Sequence, residues 1–143
     1  MAESNLRTLF LVILCVALLP LDVWAKRAAP QPVKPLLWSV YKIQPSGDGS
    51  SAKITVSKIC KCYFKPKTIT IYEINYLKSL ETDVQDLHIT KLEINNGLLL
   101  VKTEKGGIFS CNITTGKVKL LKLPQGYEQI PTTASVIKLK VKW

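Results

Sequence analysis

Cysteines carry the most distinctive chemistry in this 143-residue sequence, and four are present. Cys60 and Cys62 form a Cys-Lys-Cys motif, Cys111 lies further along, and Cys15 falls in an apolar N-terminal run. Side chains two positions apart in an extended strand share one face and are poorly placed to bond each other. We therefore expect one of Cys60 and Cys62 to pair with Cys111. The other would stay free, take a different partner or link two chains as a disulfide-bonded homodimer.

Catalytic chemistry is difficult to assemble from the remaining side chains. His88 is the single histidine, and no nucleophile motif surrounds it. A Cys–His pair would lose its thiolate to oxidation in an oxidising compartment. One imidazole without a second cysteine pair does not supply the ligands of a zinc site. The sequence therefore predicts a protein without enzyme activity, metal or cofactor.

Asn112-Ile113-Thr114 matches the acceptor pattern for N-linked glycosylation and lies beside a predicted turn. The pattern has functional meaning only in a chain that enters the secretory pathway. A glycan at Asn112 would keep this turn at the protein surface.

The N-terminus has the order of parts of a secretory signal peptide. Arg7 precedes an apolar run over residues 9–19, and Val23-Trp24-Ala25 forms a cleavage site. The run is shorter than the roughly 20 residues that a membrane-spanning helix needs. We predict a signal peptide over residues 1–25, cleavage after Ala25, a secreted extracellular protein, and no transmembrane segment after cleavage.

Cleavage would make a basic chain more basic. The full sequence has 20 Lys and Arg against 10 Asp and Glu, and residues 1–25 contain Arg7, Glu3 and Asp22. The mature chain would hold 19 basic and 8 acidic residues, a net charge of +11. Most of this charge is lysine, which suits diffuse attraction to sulfates better than fork-like recognition. Sulfated glycosaminoglycans are therefore the expected partners, and nucleic acid is not. The alternative is that the lysines only make the protein surface soluble.

Six lysines are candidates for polyanion binding. In the segment 137–143, apolar residues alternate with lysines, which predicts a strand with one apolar and one cationic face. An edge strand whose lysines discourage aggregation would give the same pattern. The six candidates are Lys117, Lys119, Lys122, Lys138, Lys140 and Lys142.

The elements that must position these residues are predominantly strands, so we predict a mainly β fold. The expected domain is a small antiparallel meander or barrel-like unit over residues 38–143, with at most one short helix near 80–87. It follows a flexible, basic, proline-rich arm over residues 26–37. Asn96-Gly97 is the strongest hairpin signal. Other predicted elements are strands at 38–43, 52–64 (with both cysteines on its core side), 68–74, 88–94, 98–101, 108–111, 117–121 and 137–143, a loop at 45–51, and turns at 105–107 and 114–116.

Residues 57–122 resemble the CXC chemokines. The resemblance rests on the basic secreted character, the Cys60-Lys61-Cys62 motif and strand-like segments in a similar order, at 77–81, 91–94 and 108–111. It implies an alternative α+β fold, a three-stranded sheet plus a C-terminal helix. It also implies a Cys62–Cys111 disulfide with Cys60 free, because the third family cysteine would fall near Ile89 and is absent. The tract after Cys111 departs from the family, since its prolines and the alternation over 135–143 favour strand.

Residues 97–124 also resemble one blade of a β-propeller. The mature chain is too short for the roughly four blades that a propeller requires, so we interpret this likeness as a shared hairpin pattern.

Together these features predict a secreted basic binding protein. Its most concrete form is a chemokine-like or cytokine-like signalling ligand that binds a cell-surface receptor and glycosaminoglycans. The alternative is a small secreted barrel or sandwich that carries an apolar ligand or inhibits another protein.

Overall fold

A computed structural model describes residues 30–60 and 63–143 and confirms the mainly β fold class. The predicted signal peptide and Cys62 lie outside the described residues. The elements are β1 (Leu36–Trp38), β2 (Tyr41–Gly47), β3 (Ser51–Lys58), β4 (Lys67–Ile74), α1 (Thr82–Gln85), β5 (Ile89–Asn95), β6 (Leu98–Thr103), a 3-10 turn (Glu104–Gly106), β7 (Ile108–Cys111), β8 (Val118–Lys122), β9 (Tyr127–Ile130) and β10 (Ile137–Val141).

The first sheet has six strands in the order β1-β2-β3-β4-β10-β9. Its neighbours pair antiparallel except β4 and β10, which are parallel, with Ile137 beside Tyr72 and Leu139 beside Ile74. The alternating C-terminal segment is therefore a strand, as predicted. The interpretation as an edge strand is wrong, because β10 is paired on both sides.

The second sheet is the four-stranded antiparallel meander β5-β6-β7-β8. Asn96 and Gly97 connect β5 to β6 with φ angles of 49° and 75°. These left-handed conformations match the twist of a tight hairpin, and Gly97 adopts its own without a Cβ penalty. The predicted hairpin is confirmed, as are the turns before β7 and β8.

The two sheets bury one common apolar core. Tyr72 of the first sheet stacks on Phe109 of the second, with 5.0 Å between ring centroids, and both side chains are fully buried. The Tyr72 hydroxyl donates a hydrogen bond to the Leu87 carbonyl oxygen at 2.7 Å. Because the inner faces meet, the outer faces of the two sheets point away from each other.

Several boundaries differ from the sequence predictions. The predicted strand 38–43 contains a turn at Ser39, where φ is 54°. The predicted loop 45–51 instead continues β2 through Pro45 to Gly47. Proline is tolerated there because β1 pairs with β2 only over residues 41–43, so Pro45 has strand pairing only on its β3 side. Strand β9 was not predicted; its four residues are held by pairing with β10.

The N-terminal arm is shorter than predicted at its C-terminal end. Strand β1 begins at Leu36, inside the range 26–37, and both Val33 and Leu36 pack against the core. Helix α1 is the one predicted near 80–87, and its N-cap is Glu81. Among the described residues, every helix is too short or too polar to cross a bilayer.

Candidate functional site

The outer face of the second sheet carries a group of lysines brought together by strand register. Lys102 of β6 lies beside Lys91 of β5 and Ile108 of β7, and Ile108 lies beside Lys122 of β8. The next row includes Ser110 and Lys119. Side chains alternate along a strand, so these positions face away from the core. We call this surface the basic face, and its lysines are Lys91, Lys102, Lys117, Lys119 and Lys122.

Glu93 neutralises one side of the basic face. Its two carboxylate oxygens lie 2.5 Å from Lys91 Nζ and 2.8 Å from Lys102 Nζ. Hydrogen bonds from Lys102 and then Lys91 lower the pKa of Glu93 to about 2. The carboxylate therefore stays ionised, and this side of the face is closer to neutral than the side formed by β8.

The β8 side of the basic face keeps its positive charge. Lys117, Lys119 and Lys122 are exposed, and none of them forms an ion pair within the described part of the chain. Lys117 and Lys119 border a depression of about 330 Å³ on the outer face. They also line an open groove of about 580 Å³ along the free side of β8. Two surface hollows therefore share the same two lysine residues.

Lys67 joins this region from the first sheet. Its ammonium donates a hydrogen bond to the Thr114 carbonyl oxygen at 3.2 Å, and Lys67 lines the same groove as Lys117 and Lys119. Sequence reasoning missed Lys67 because its proximity to β8 is purely tertiary. It also missed Lys91 and Lys102, although each sits at an outward position of a predicted strand.

The β10 lysines lie elsewhere. Lys138 and Lys140 project from the outer face of the first sheet, opposite to the side chains of Ile137 and Leu139. Lys140 Nζ is 2.9 Å from Glu128 on β9, and Lys138 is the strand neighbour of Glu73 on β4. Lys142 is exposed after the end of β10. The structure therefore does not join the two lysine groups into one cationic strip.

Asn112 sits in the turn that connects β7 to β8, at the border of the basic face. Its Oδ1 accepts hydrogen bonds from the backbone N–H groups of Thr114 and Thr115, at 3.0 and 3.1 Å. Its own N–H donates to the Lys117 carbonyl oxygen at 2.9 Å. Asn112 lines the 330 Å³ depression together with Lys117 and Lys119.

The cysteines do not follow the predicted pairing. Cys111 is a free thiol that is fully buried on the core face of β7, so the Cys62–Cys111 disulfide is not present. Cys60 lies exposed beyond the end of β3, which corrects its predicted place on the core side of a strand. Cys60 is disulfide-bonded rather than free.

The segment around His88 has structural contacts. The His88 backbone N–H donates to Glu104 Oε1 at 3.0 Å, and the Tyr76 hydroxyl donates to Asp86 Oδ1. Buried Gln85 accepts from the Leu77 N–H at 2.6 Å and donates back to the Leu77 carbonyl oxygen at 3.0 Å. Across the described ranges, no three His, Cys, Asp or Glu side chains are grouped to hold a metal ion.

Comparison with known proteins gives no relative: no family model, no curated protein and no solved structure matches this chain.

Proposed function

We propose that this protein is an extracellular basic binding protein that associates with sulfated glycosaminoglycans through the basic face. The signal peptide expected at residues 1–25 would bring it to the compartment where these polymers are abundant. The observation that carries the proposal is the grouping of Lys117, Lys119 and Lys122, unpaired within the described ranges, on one surface with Lys102.

The spacing of these lysines suits a linear polyanion. Neighbouring strands are about 4.8 Å apart, so Lys102 and Lys122 are separated by roughly 10 Å across the sheet. Lysine heads on flexible stems can adjust over such distances to contact several sulfates. Binding of this kind releases counterions from the polymer and therefore weakens as salt rises.

A pair of triple variants tests the proposal. Lys117→Ala/Lys119→Ala/Lys122→Ala removes the lysines in and directly before β8, whereas Lys138→Ala/Lys140→Ala/Lys142→Ala removes the same charge in and directly after β10. On a heparin column, with all proteins produced without a glycan, we expect the first variant to elute at much lower salt than the parent and the second to elute near it. For the first variant, the slope of log affinity against log salt should also fall by about one unit per lysine.

Equal losses of heparin affinity in the two variants would mean that net charge, and not the basic face, determines binding. Heparin affinity of the parent no higher than that of the first variant would contradict the proposal altogether. Both variants should show the parent's circular-dichroism spectrum, since all six side chains are at outward-facing or exposed positions.

Receptor signalling is a more specific form of this function. The likeness to chemokines supports it, but the three-stranded sheet with a C-terminal helix is not the fold, because β10 occupies the C-terminal segment. The test is calcium flux in receptor-bearing leukocytes with the mature chain and with a chain that begins at Leu36, which keeps β1. A signalling ligand with an N-terminal receptor contact should lose its response in the shorter chain. No response to the mature chain would rule this form out.

A further inference from the structure

We propose that an N-linked glycan on Asn112 lies over the depression on the basic face and weakens its binding to sulfated polymers. This inference rests on the proposed function and adds regulation by modification to the same surface. The sequon lies in the turn between β7 and β8. The depression of about 330 Å³ beside this turn is lined by Asn112, Lys117 and Lys119.

The local geometry presents the amide nitrogen of Asn112 for modification. Oδ1 is held by the N–H groups of Thr114 and Thr115, which fixes the plane of the side-chain amide. Nδ2 has no hydrogen-bond partner among the described residues. Every buried side-chain nitrogen or oxygen in that part of the chain has one, so Nδ2 is not buried. Nδ2 is therefore accessible to solvent.

Glycosylation at this atom needs only the donor of the secretory pathway. Asn112 Nδ2 forms a bond to the anomeric carbon of the first sugar of a lipid-linked oligosaccharide. The lipid diphosphate leaves with the electron pair of the broken bond, and Nδ2 loses one proton.

The attached sugars would compete for the space that a sulfated polymer needs. Asn112 and Lys117 close the turn through a backbone hydrogen bond, so the attachment point is adjacent to the first lysine of the β8 side. The depression is at the lower end of the size range of small-molecule sites, which allows the first sugars to lie within it. Lys117 and Lys119 border it and would be covered. Lys122, at the far end of β8, would remain open.

Two substitutions of one residue separate the glycan from the turn. Thr114→Ala removes the sequon, whereas Thr114→Ser keeps it. Thr114 supplies a backbone N–H and a backbone carbonyl oxygen to the turn, and both variants retain these groups. Neither variant changes the charge of the polypeptide. Expression in mammalian secretory cells followed by intact mass, with and without a glycosidase, reports occupancy of Asn112.

We expect the parent and the Thr114→Ser variant to carry a glycan and to bind heparin about thirtyfold more weakly than Thr114→Ala, because two lysine contacts with the anionic polymer are restored in the latter. Equal thermal midpoints for the two variants would show that the turn is intact. A parent without a glycan at Asn112, or equal heparin affinity in the glycosylated and unglycosylated forms, would overturn the inference.

The same material distinguishes this inference from the proposed function. Adding the three β8 alanines to Thr114→Ala should abolish most of its heparin affinity. If it does not, the basic face is not the binding site and the proposed function fails. If affinity is lost but the glycosylated parent already binds as tightly as Thr114→Ala, only the glycan inference fails.

Discussion

At the scale of single residues, the hydroxyl of Tyr72 and the thiol of Cys111 show how polar groups are accommodated in the apolar core. Tyr72 stacks on Phe109 and also satisfies the Leu87 carbonyl oxygen, which would otherwise lack this partner in an apolar interior. Cys111 has a different role: burial raises the pKa of its thiol to about 11, so it stays neutral at physiological pH. A neutral buried thiol behaves as a small apolar side chain rather than as a nucleophile.

Removing the Tyr72 hydroxyl should destabilise the protein measurably. Tyr72→Phe keeps the ring stack but leaves the Leu87 carbonyl oxygen without its donor, which costs about 1–3 kcal/mol of the free energy of unfolding. Urea denaturation followed by tryptophan fluorescence measures this cost. Tyr63→Phe is the matched control, because Tyr63 is fully exposed and its hydroxyl should contribute almost nothing. A midpoint for Tyr72→Phe equal to that of the control would contradict the role assigned to this hydrogen bond.

The residue scale also shows where the cysteine prediction failed. Alternation along residues 52–64 placed Cys60 on an inward face, but β3 ends at Lys58 and the alternation ends with it. Cys111 is inward, as its strand pattern requires, and for that reason it is enclosed by the core. Spacing along the chain does not report which cysteines meet in space.

At the scale of elements, each sheet has its own charge arrangement on its outer face. In the first sheet, Glu73 and Glu128 stand beside the β10 lysines. In the second sheet, Glu93 forms ion pairs with Lys91 and Lys102, and the lysines of β8 keep their positive charge. The pairing of strands therefore decides which lysines remain available for a partner.

Glutamate removal should strengthen polyanion binding only on the second sheet. Glu93→Gln releases Lys91 and Lys102 on the basic face, so we expect later elution from heparin. Glu128→Gln adds the same unit of charge on the other sheet and should change elution little. Because the pKa of Glu93 is lowered from 4.5 to about 2, its ion pairs persist above pH 4.5. As the pH falls toward 2, Glu93 becomes protonated and the contribution of its ion pairs to stability is lost. The parent and the Glu93→Gln variant should therefore elute from heparin at the same salt concentration at that pH.

Local signals predicted the elements better than their arrangement. The hairpin at Asn96-Gly97 and the turns around β7 follow from residues adjacent in the chain, and all were identified. The pairing of β4 with β10 joins segments more than sixty residues apart, as in Tyr72 with Ile137. No periodicity specifies such a neighbour. The sequence therefore predicted part of the candidate site. It grouped the β8 lysines, whereas the proximity of Lys67 and the separation of the β10 lysines from the basic face follow only from the tertiary structure.

At the scale of the whole molecule, β10 ties the first sheet together. It lies between β4 and β9, and Leu139 is fully buried within the shared core. The ring stack of Tyr72 on Phe109 then links that sheet to the second. Loss of one strand is therefore expected to affect both layers.

A truncation measures this dependence. A chain ending at Pro131 lacks β10, leaves β9 without its partner and exposes the side of β4 from Tyr72 to Ile74; we expect it to lose its cooperative thermal transition. A chain ending at Val141 removes only exposed terminal residues, among them Trp143, and should unfold like the parent. Cooperative unfolding of the chain that ends at Pro131 would show that strands β1 to β9 form a stable unit without β10.

The position of β10 has a consequence during synthesis. Strands β1 to β4 leave the ribosome early, but their sheet cannot be completed until residues 137–141 have also emerged. Contacts between such distant segments are slow to form. Until those residues emerge, the side of β4 from Tyr72 to Ile74 lacks its neighbouring strand, so completion of the first sheet is a late step of folding.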